Sequence, residues 1–247
     1  VIKEVEVTKV VEIEKEVIVE KEVVVEVEVE VAAESTYPLA GSTAVIAVGD
    51  VGPPAYHTPL ATHPYHTYLI HLGIGETLLD FSGSGSLSSM IASDWTVDEG
   101  GITWTISDGI PWDNTKYGTV GVNDVKWSYD EGIREDAIGG WAGELYDPIF
   151  TNVHVTDAGD LRWDWRDGPQ IAWSWSPRHH WAGLPIMSQA HYDDVGGDSG
   201  AQAFAVGSGP YKLVEHVSDD KIILEGVKNH YRAAPGFEKL ILVEVEE

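Results

Sequence analysis

Ten histidines and 41 acidic residues are the side chains with the most chemical potential in this 247-residue chain. His57, His63, His66 and His71 fall close together, and the pair His179-His180 precedes His191. Imidazoles hold a transition metal when two of them and a carboxylate share one face, as the HExxH spacing achieves on a helix. No histidine pair here has that spacing, so packed or surface histidines are expected, with no metal site and no cofactor. The stretch YDDVGGDSG (192–200) has the Asp and Gly content of a calcium loop. It lacks the alternating oxygen ligands and closing Glu of an EF-hand, so a solvated loop is expected. Carboxylate pairs for glycoside hydrolysis could be drawn anywhere from so many acids, which makes each pair uninformative. GSGSL and GIGET lack the strand and helix context of phosphate-binding or nucleophile-elbow glycines. The expectation is a protein that is not an enzyme.

The tryptophans are the second notable set. Trp163, Trp165, Trp173, Trp175 and Trp181 lie within nineteen residues. Side chains two apart in a strand share a face, so Trp163/Trp165 and Trp173/Trp175 form two aromatic pairs if the segment is extended. Such pairs serve either as a core cluster or as a stacking platform for sugar rings or peptide side chains. The platform defines an alternative function: a self-contained surface carbohydrate-binding or adhesive module.

Composition narrows the partners. The formal charge is −26 and the pI is near 4.5, with only 15 Lys and Arg. Neutralising nucleic-acid phosphates needs clustered cations, so nucleic acid is excluded as a partner. There are no cysteines, hence no disulfide, thiolate metal site or cysteine nucleophile. No apolar run approaches 18 residues, the length that spans a bilayer as a helix. The first residue is Val1 rather than Met, and a processed or cropped start is expected.

These side chains are carried by unequal segments. Every odd position of residues 1–31 is Val, Ile or Lys, and Lys3, Lys9, Lys15 and Lys21 recur at a spacing of six. Six is a multiple of the strand period and not of the coiled-coil 3.5, so an extended acidic β-prone stalk is expected. The alternative is a charged tail without fixed structure. AAESTYPLAGST (32–43) reads as a linker, followed by a short strand, TAVIAVG, and a turn-rich run. YHTYLIHLGIGETLLDF (65–81) suggests a helix passing into a strand. DWTVDE and GITWTISDG meet at Gly100-Gly101 as a hairpin. VNDVKWSYDEGIRED (122–136) reads as an amphipathic helix through Val125, Tyr129 and Ile133. Residues 150–175 alternate as strands about a turn at 157–159. Further strands are expected near 212–215, 221–225 and 239–245.

Two blocks of this pattern resemble extracytoplasmic solute-binding proteins of family 5, the receptors of peptide/nickel-type ABC importers. In the first, GETLLDF…LSSMIASDWTVDEGGITWTISDGIPWDN…GVNDVKWSYDEGI, the matched positions are Glu76 with Leu78, Ala92-Ser93 with Trp95, and Gly101 with Trp104-Thr105. Asp108-Gly109 and Asp124-Val125 with Ser128 complete it. In the second, GSGPYKL…ILEGVKNHYRAAPGFEKLILVEVEE, Gly207, Gly209, Pro210, Tyr211, Asn229, Tyr231 and Pro235 match. Ser107 departs from the family's usual Arg, PWDN from its F-H-D-G, and Gly121 from the Thr that caps the following helix, a cap weaker by a few tenths of a kcal/mol.

The resemblance, which covers residues 65–247, implies an α/β fold: a periplasmic-binding-protein-like (type II) lobe I carrying a small β-rich insert. The chain is then expected to end before the partner lobe III begins. The implied organisation is 1–36 stalk and linker, 37–82 first part of lobe I, 83–200 insert and 201–247 return to lobe I. The GSGPY turn would be the point of return. A solute, peptide first, would be captured outside the cytoplasmic membrane and passed to the permease subunits of an ABC importer. The protein would be periplasmic or lipoprotein-like, held at the cell surface through a missing N-terminal segment. Polar or aromatic groups near the expected lobe I strand ends are the candidates for solute contact: Tyr56, His71, Glu76 and Tyr211. Trp95, Gly109, Asp124, Val125, Gly207, Gly209, Pro210 and Tyr231 are expected to serve the fold.

Overall fold

In the computed structural model the described residues are 41–60, 68–81, 87–137, 149–169, 185–232 and 234–245. The Val/Glu tract, His63, His66, His179, His180, Trp173, Trp175 and Trp181 lie outside them. In chain order the strands are β1 (Thr43–Val48), β2 (Leu79–Phe81), β3 (Leu87–Ser89), β4 (Ala92–Val97) and β5 (Gly101–Ile106). They continue as β6 (Phe150–Val155), β7 (Leu161–Trp165), β8 (Tyr211–Val217), β9 (Lys221–Gly226) and β10 (Lys239–Glu244). The helices are α1 (Tyr68–His71), α2 (Val122–Gly132), α3 (Gln189–Asp194) and α4 (Asp198–Ala203).

One sheet joins the two ends of the described chain in the order β1-β10-β9-β8. β1 runs parallel to β10, with Thr43 opposite Lys239 and Val48 opposite Glu244, while β9 and β8 add on antiparallel. Alternation decides which face is inside. Ile222 and Leu224 of β9 are buried, and they pack with Leu213, Val51, Tyr56, Leu69, Leu72, Ile74, Met187 and Ala205. Each such aliphatic side chain contributes about 1.5–3 kcal/mol through removal from water.

A second sheet, β4-β5-β7-β6, is antiparallel throughout. Its hairpin turns where expected. The Asp98 carboxylate accepts from the backbone N–H of Gly100 (2.7 Å) and Gly101 (3.0 Å), and Arg162 grips both of its oxygens. Gly101 is required because a Cβ there would overlap the Trp163 carbonyl oxygen. Trp163 and Trp165 do share one face, but that face is the core. Trp163 is 1% exposed and Trp165 7%, and Phe150 lies 4.9 Å from the Trp163 ring and 5.3 Å from that of Trp165. A buried ring cannot stack a sugar, so this pair is no platform.

Two further expectations change in detail. α2 ends at Gly132, short of the 122–136 span, because Ile133 leaves helical geometry and Arg134 turns back onto Glu131. Glycine near the end of a helix favours such a stop. The expected loop at 192–200 is instead two short helices. Ser188 caps α3 by accepting from His191 N (3.2 Å), and Gly196 and Gly197, both at positive φ, reverse the chain into α4. Six-residue helices are too short to display a period.

Candidate ligand-binding site

The turn at Gly207–Tyr211 lies backbone to backbone against Gly73 and Ile74. Gly209 N donates to Ile74 O (2.8 Å) and Tyr211 N to Gly73 O (3.0 Å). A Cβ on Gly207 would overlap the Ile74 carbonyl, and one on Gly209 the Gly73 carbonyl. The two glycines are thus needed for close approach, the use to which glycine is suited. Asp113, from the PWDN loop, braces the same turn: its N–H donates to Gly207 O (2.8 Å) and its carboxylate accepts from Gly207 N (3.3 Å). Burial pushes the Asp113 carboxyl up to about 6.

Beneath the turn lies Glu76, 2% exposed. Tyr231 donates to its Oε2 at 2.5 Å, Ser208 Oγ reaches the same oxygen at 3.4 Å, and Arg232 Nε donates to Oε1 at 2.9 Å. His230 Nε2 sits 3.7 Å from Oε1 and 2.9 Å from Ser208 O. Burial, with the Glu76 charge beside it, holds the Tyr231 hydroxyl well above the ordinary tyrosine range, so it stays a donor. Glu76 therefore faces inward, clamping the segment after β9 onto the segment before β2.

The other sequence candidates divide by depth. Tyr56 is 2% exposed, its hydroxyl 2.7 Å from His216 Nδ1, whose Nε2 lies 2.8 Å from Gly52 O. His71 is exposed at the end of α1. Tyr211 is half-buried and its hydroxyl accepts from Phe237 N (3.2 Å). Gly73 brings Tyr211 and α1 together, since the Tyr211 ring packs over it. His71 and Tyr211 thus reach the surface, while Tyr56 and Glu76 are buried. Among the fold-serving candidates, Trp95 packs beside Trp104 (6.4 Å), Gly109 has φ 76°, and Val125 is 1% exposed. Asp124 Oδ2 accepts from Gly121 N (2.9 Å), capping α2 where Gly121 offers no side chain.

Sequence reasoning missed a third cluster. His57 is 1% exposed, and its Nε2 lies 3.1 Å from Glu131 Oε2 and 3.5 Å from Asp198 Oδ1. Arg134 bridges the same carboxylates, and Tyr192 donates to Asp198 Oδ1 (2.9 Å). Burial pulls the His57 imidazole down to about 4 despite the carboxylates, so it is neutral at neutral pH. Burial also pushes the Glu131 carboxyl up. Positions 57, 131, 134 and 198 follow no motif, and only the fold brings them together. Beside His57 a recess lined by Trp127, Tyr192, His191 and Phe204 holds only about 20 Å³. A single water needs roughly 10–15 Å³ on that measure, so the recess is too small for a peptide or sugar. Among the described residues no helix is long and apolar enough to cross a membrane.

The fold thus combines a mixed sheet, in which the first strand pairs with the last, with a separate four-stranded antiparallel sheet. Residues 86–247 match the family model of bacterial extracellular solute-binding proteins, family 5, middle region. The chain belongs to that family. Solved structures share the fold. The ABC transporter-associated periplasmic binding protein DppA of Helicobacter pylori, in complex with the peptide STSA, aligns with a TM-score of 0.68 at 21% identity, over 83% of this chain and 43% of that one. A dipeptide-binding protein of Pseudoalteromonas in complex with Met-Leu gives 0.70 at 14% identity, over 83% and 44%. NikA of Staphylococcus aureus, in complex with Ni(L-His)2, gives 0.64 at 14%, over 83% and 39%. The matched part of this chain covers 39–44% of the length of those proteins. No curated protein matches it.

Proposed function

We propose that this chain supplies one side of an extracytoplasmic receptor that captures peptides, or a similar small solute, for an ABC importer. It binds and performs no chemistry. Family membership over residues 86–247 carries this reading, and the shared fold with two peptide-bound receptors supports it. The pairing of β1 with β10 supports a division in which 37–82 and 201–247 form one lobe and 83–200 an insert. His71 and Tyr211 contact the solute, and the buried Tyr56 and Glu76 serve the fold around them.

A one-sided site binds weakly. Half the contacts of a micromolar site, about −8 kcal/mol, leave about −4, or a Kd near 1 mM. Thermal melts of the full chain with pooled di- to hexapeptides test this. Ligand at about a tenth of Kd stabilises by under 0.1 kcal/mol, and at about ten times Kd by about 1.4 kcal/mol. The melting temperature is therefore expected to stay put near 0.1 mM and to rise by roughly 3–5 °C near 10 mM. No rise at the higher concentration would refute peptide capture. A large rise at the lower one would mean a complete site and refute the one-sided account.

A further inference from the structure

We propose that His57, Glu131 and Asp198 form a binding site for a transition-metal dication, zinc being the ion that suits it, where α2 and α4 meet the turn before the 3-10 segment Thr58–Leu60. The three candidate ligand atoms lie within 4.8 Å of one another, and none belongs to the surface of His71 and Tyr211 assigned to the solute. Four-coordinate zinc with bonds of about 2.0–2.1 Å needs ligand atoms about 3.3 Å apart. The two distances from His57 Nε2, 3.1 and 3.5 Å, bracket that edge length.

The donor set also selects the ion. One imidazole with two carboxylates suits zinc and its first-row neighbours, whereas calcium and magnesium take all-oxygen sites. The ligands come from three separate elements whose positions are set by packing, so the site is largely formed in advance. Arg134 approaches the carboxylates as an outer partner. Its NH1 lies 2.6 Å from Glu131 Oε2, and NH1 and NH2 each lie 3.0 Å from an Asp198 oxygen. Glu131 Oε2 has a lone pair for a metal beside Arg134, whereas Asp198 Oδ1 already accepts from Arg134 and Tyr192. An ion there displaces the NH1 contact while NH2 still holds Oδ2, and hydrogen-bonded carboxylates of this kind are common around metal centres. Tyr192, donating to Asp198 Oδ1, adds to the same outer layer. The Asp198 side chain is 40% exposed, which gives an ion a way in and leaves room for a water as fourth ligand. An ion there would crosslink the residue-57 turn to α2 and α4.

The test uses the full chain, stripped with chelator and titrated with cobalt(II) and zinc. One equivalent of cobalt(II) should give the visible absorption of a four-coordinate site. Zinc at about a hundredfold excess over its Kd should raise the melting temperature by about 5 °C or more. Both effects should vanish in His57→Gln and in Asp198→Asn, and both should survive in a variant with His63, His66, His71, His179 and His180 changed to Ala. Asp198, being partly exposed, keeps the test valid if His57→Gln does not fold. Absence of the cobalt band, or a zinc shift that persists in Asp198→Asn and disappears in the multi-histidine variant, would overturn the proposal.

Discussion

Two buried polar networks tie distant parts of this chain together, and they balance charge in opposite ways. Around Glu76 a single carboxylate, itself 1% exposed, meets Arg232, Tyr231 and Ser208, with His230 close by, so donors outnumber acceptors and the guanidinium side reaches solvent. Around His57 two carboxylates share one guanidinium, the imidazole is neutral at neutral pH, and Asp198 opens to solvent. The first network holds backbone segments in a single arrangement. The second has an excess of acceptors and an opening, features of a place that can take a cation. A lone buried carboxylate matched by a guanidinium positions the chain, and two carboxylates sharing one guanidinium, one of them 40% exposed, are where cation binding should be sought.

The comparison is sharpened most by removing Glu76. Glu76→Ala takes this carboxylate from Tyr231 and from Arg232, whose side chain is 31% exposed. Breaking a buried pair from one side costs about 3–5 kcal/mol, and the partial exposure of Arg232 puts the loss at the lower end, about 3 kcal/mol. Urea unfolding measures it, and a loss below about 1 kcal/mol would show that Glu76 is not the hub described. Next in size is Gly207→Ala, whose Cβ overlaps a backbone carbonyl that no rotamer change can relieve. A loss of about 2–4 kcal/mol is expected by the same method.

Asp113 tests the bracing of the same turn through pH. Its folded pKa, about 6, lies above the ordinary 3.8, so the native state binds the proton more tightly than the unfolded state. The wild type is then favoured by acid: this contribution is fully present below about 4 and is lost as pH rises through 6. Asp113→Asn removes the titration. The stability of the variant relative to wild type should therefore fall by about 2–3 kcal/mol between pH 7 and pH 4, each pH unit between the two pKa values being worth about 1.4 kcal/mol. A pH-independent difference would place Asp113 in water. The smallest effect is expected at the α2 N-cap, where Gly121→Ser should raise stability by a few tenths of a kcal/mol, read from the urea midpoint.

What could be read in advance follows from where the information sits. The alternation in KIILEG and LRWDW specified β9 and β7, because period-two patterning and one-sided burial are the same constraint. The glycines of GSGPY marked a close approach, although the Gly73–Ile74 segment they approach became visible only in the fold. Glu76 and Tyr231 were each notable through the family resemblance, yet their mutual hydrogen bond across 155 residues was not. The His57 cluster was illegible because its members stand alone at 57, 131, 134 and 198 and carry no spacing. The tryptophan pair was legible as a pair, and of its two readings the core cluster holds for Trp163 and Trp165, although alternation alone assigns a shared face without saying which face points inward.

The most direct test of the one-sided receptor is nuclear magnetic resonance titration of the isotope-labelled full chain with di- to hexapeptides up to about 10 mM, roughly ten times the expected Kd. A one-sided site predicts fast-exchange shifts of the amides around His71–Gly73 and at Tyr211, fitting a Kd near 1 mM, with the tryptophan amides at 163 and 165 unmoved. Perturbations centred instead on the recess of Trp127 and Phe204, or none at all, would contradict it.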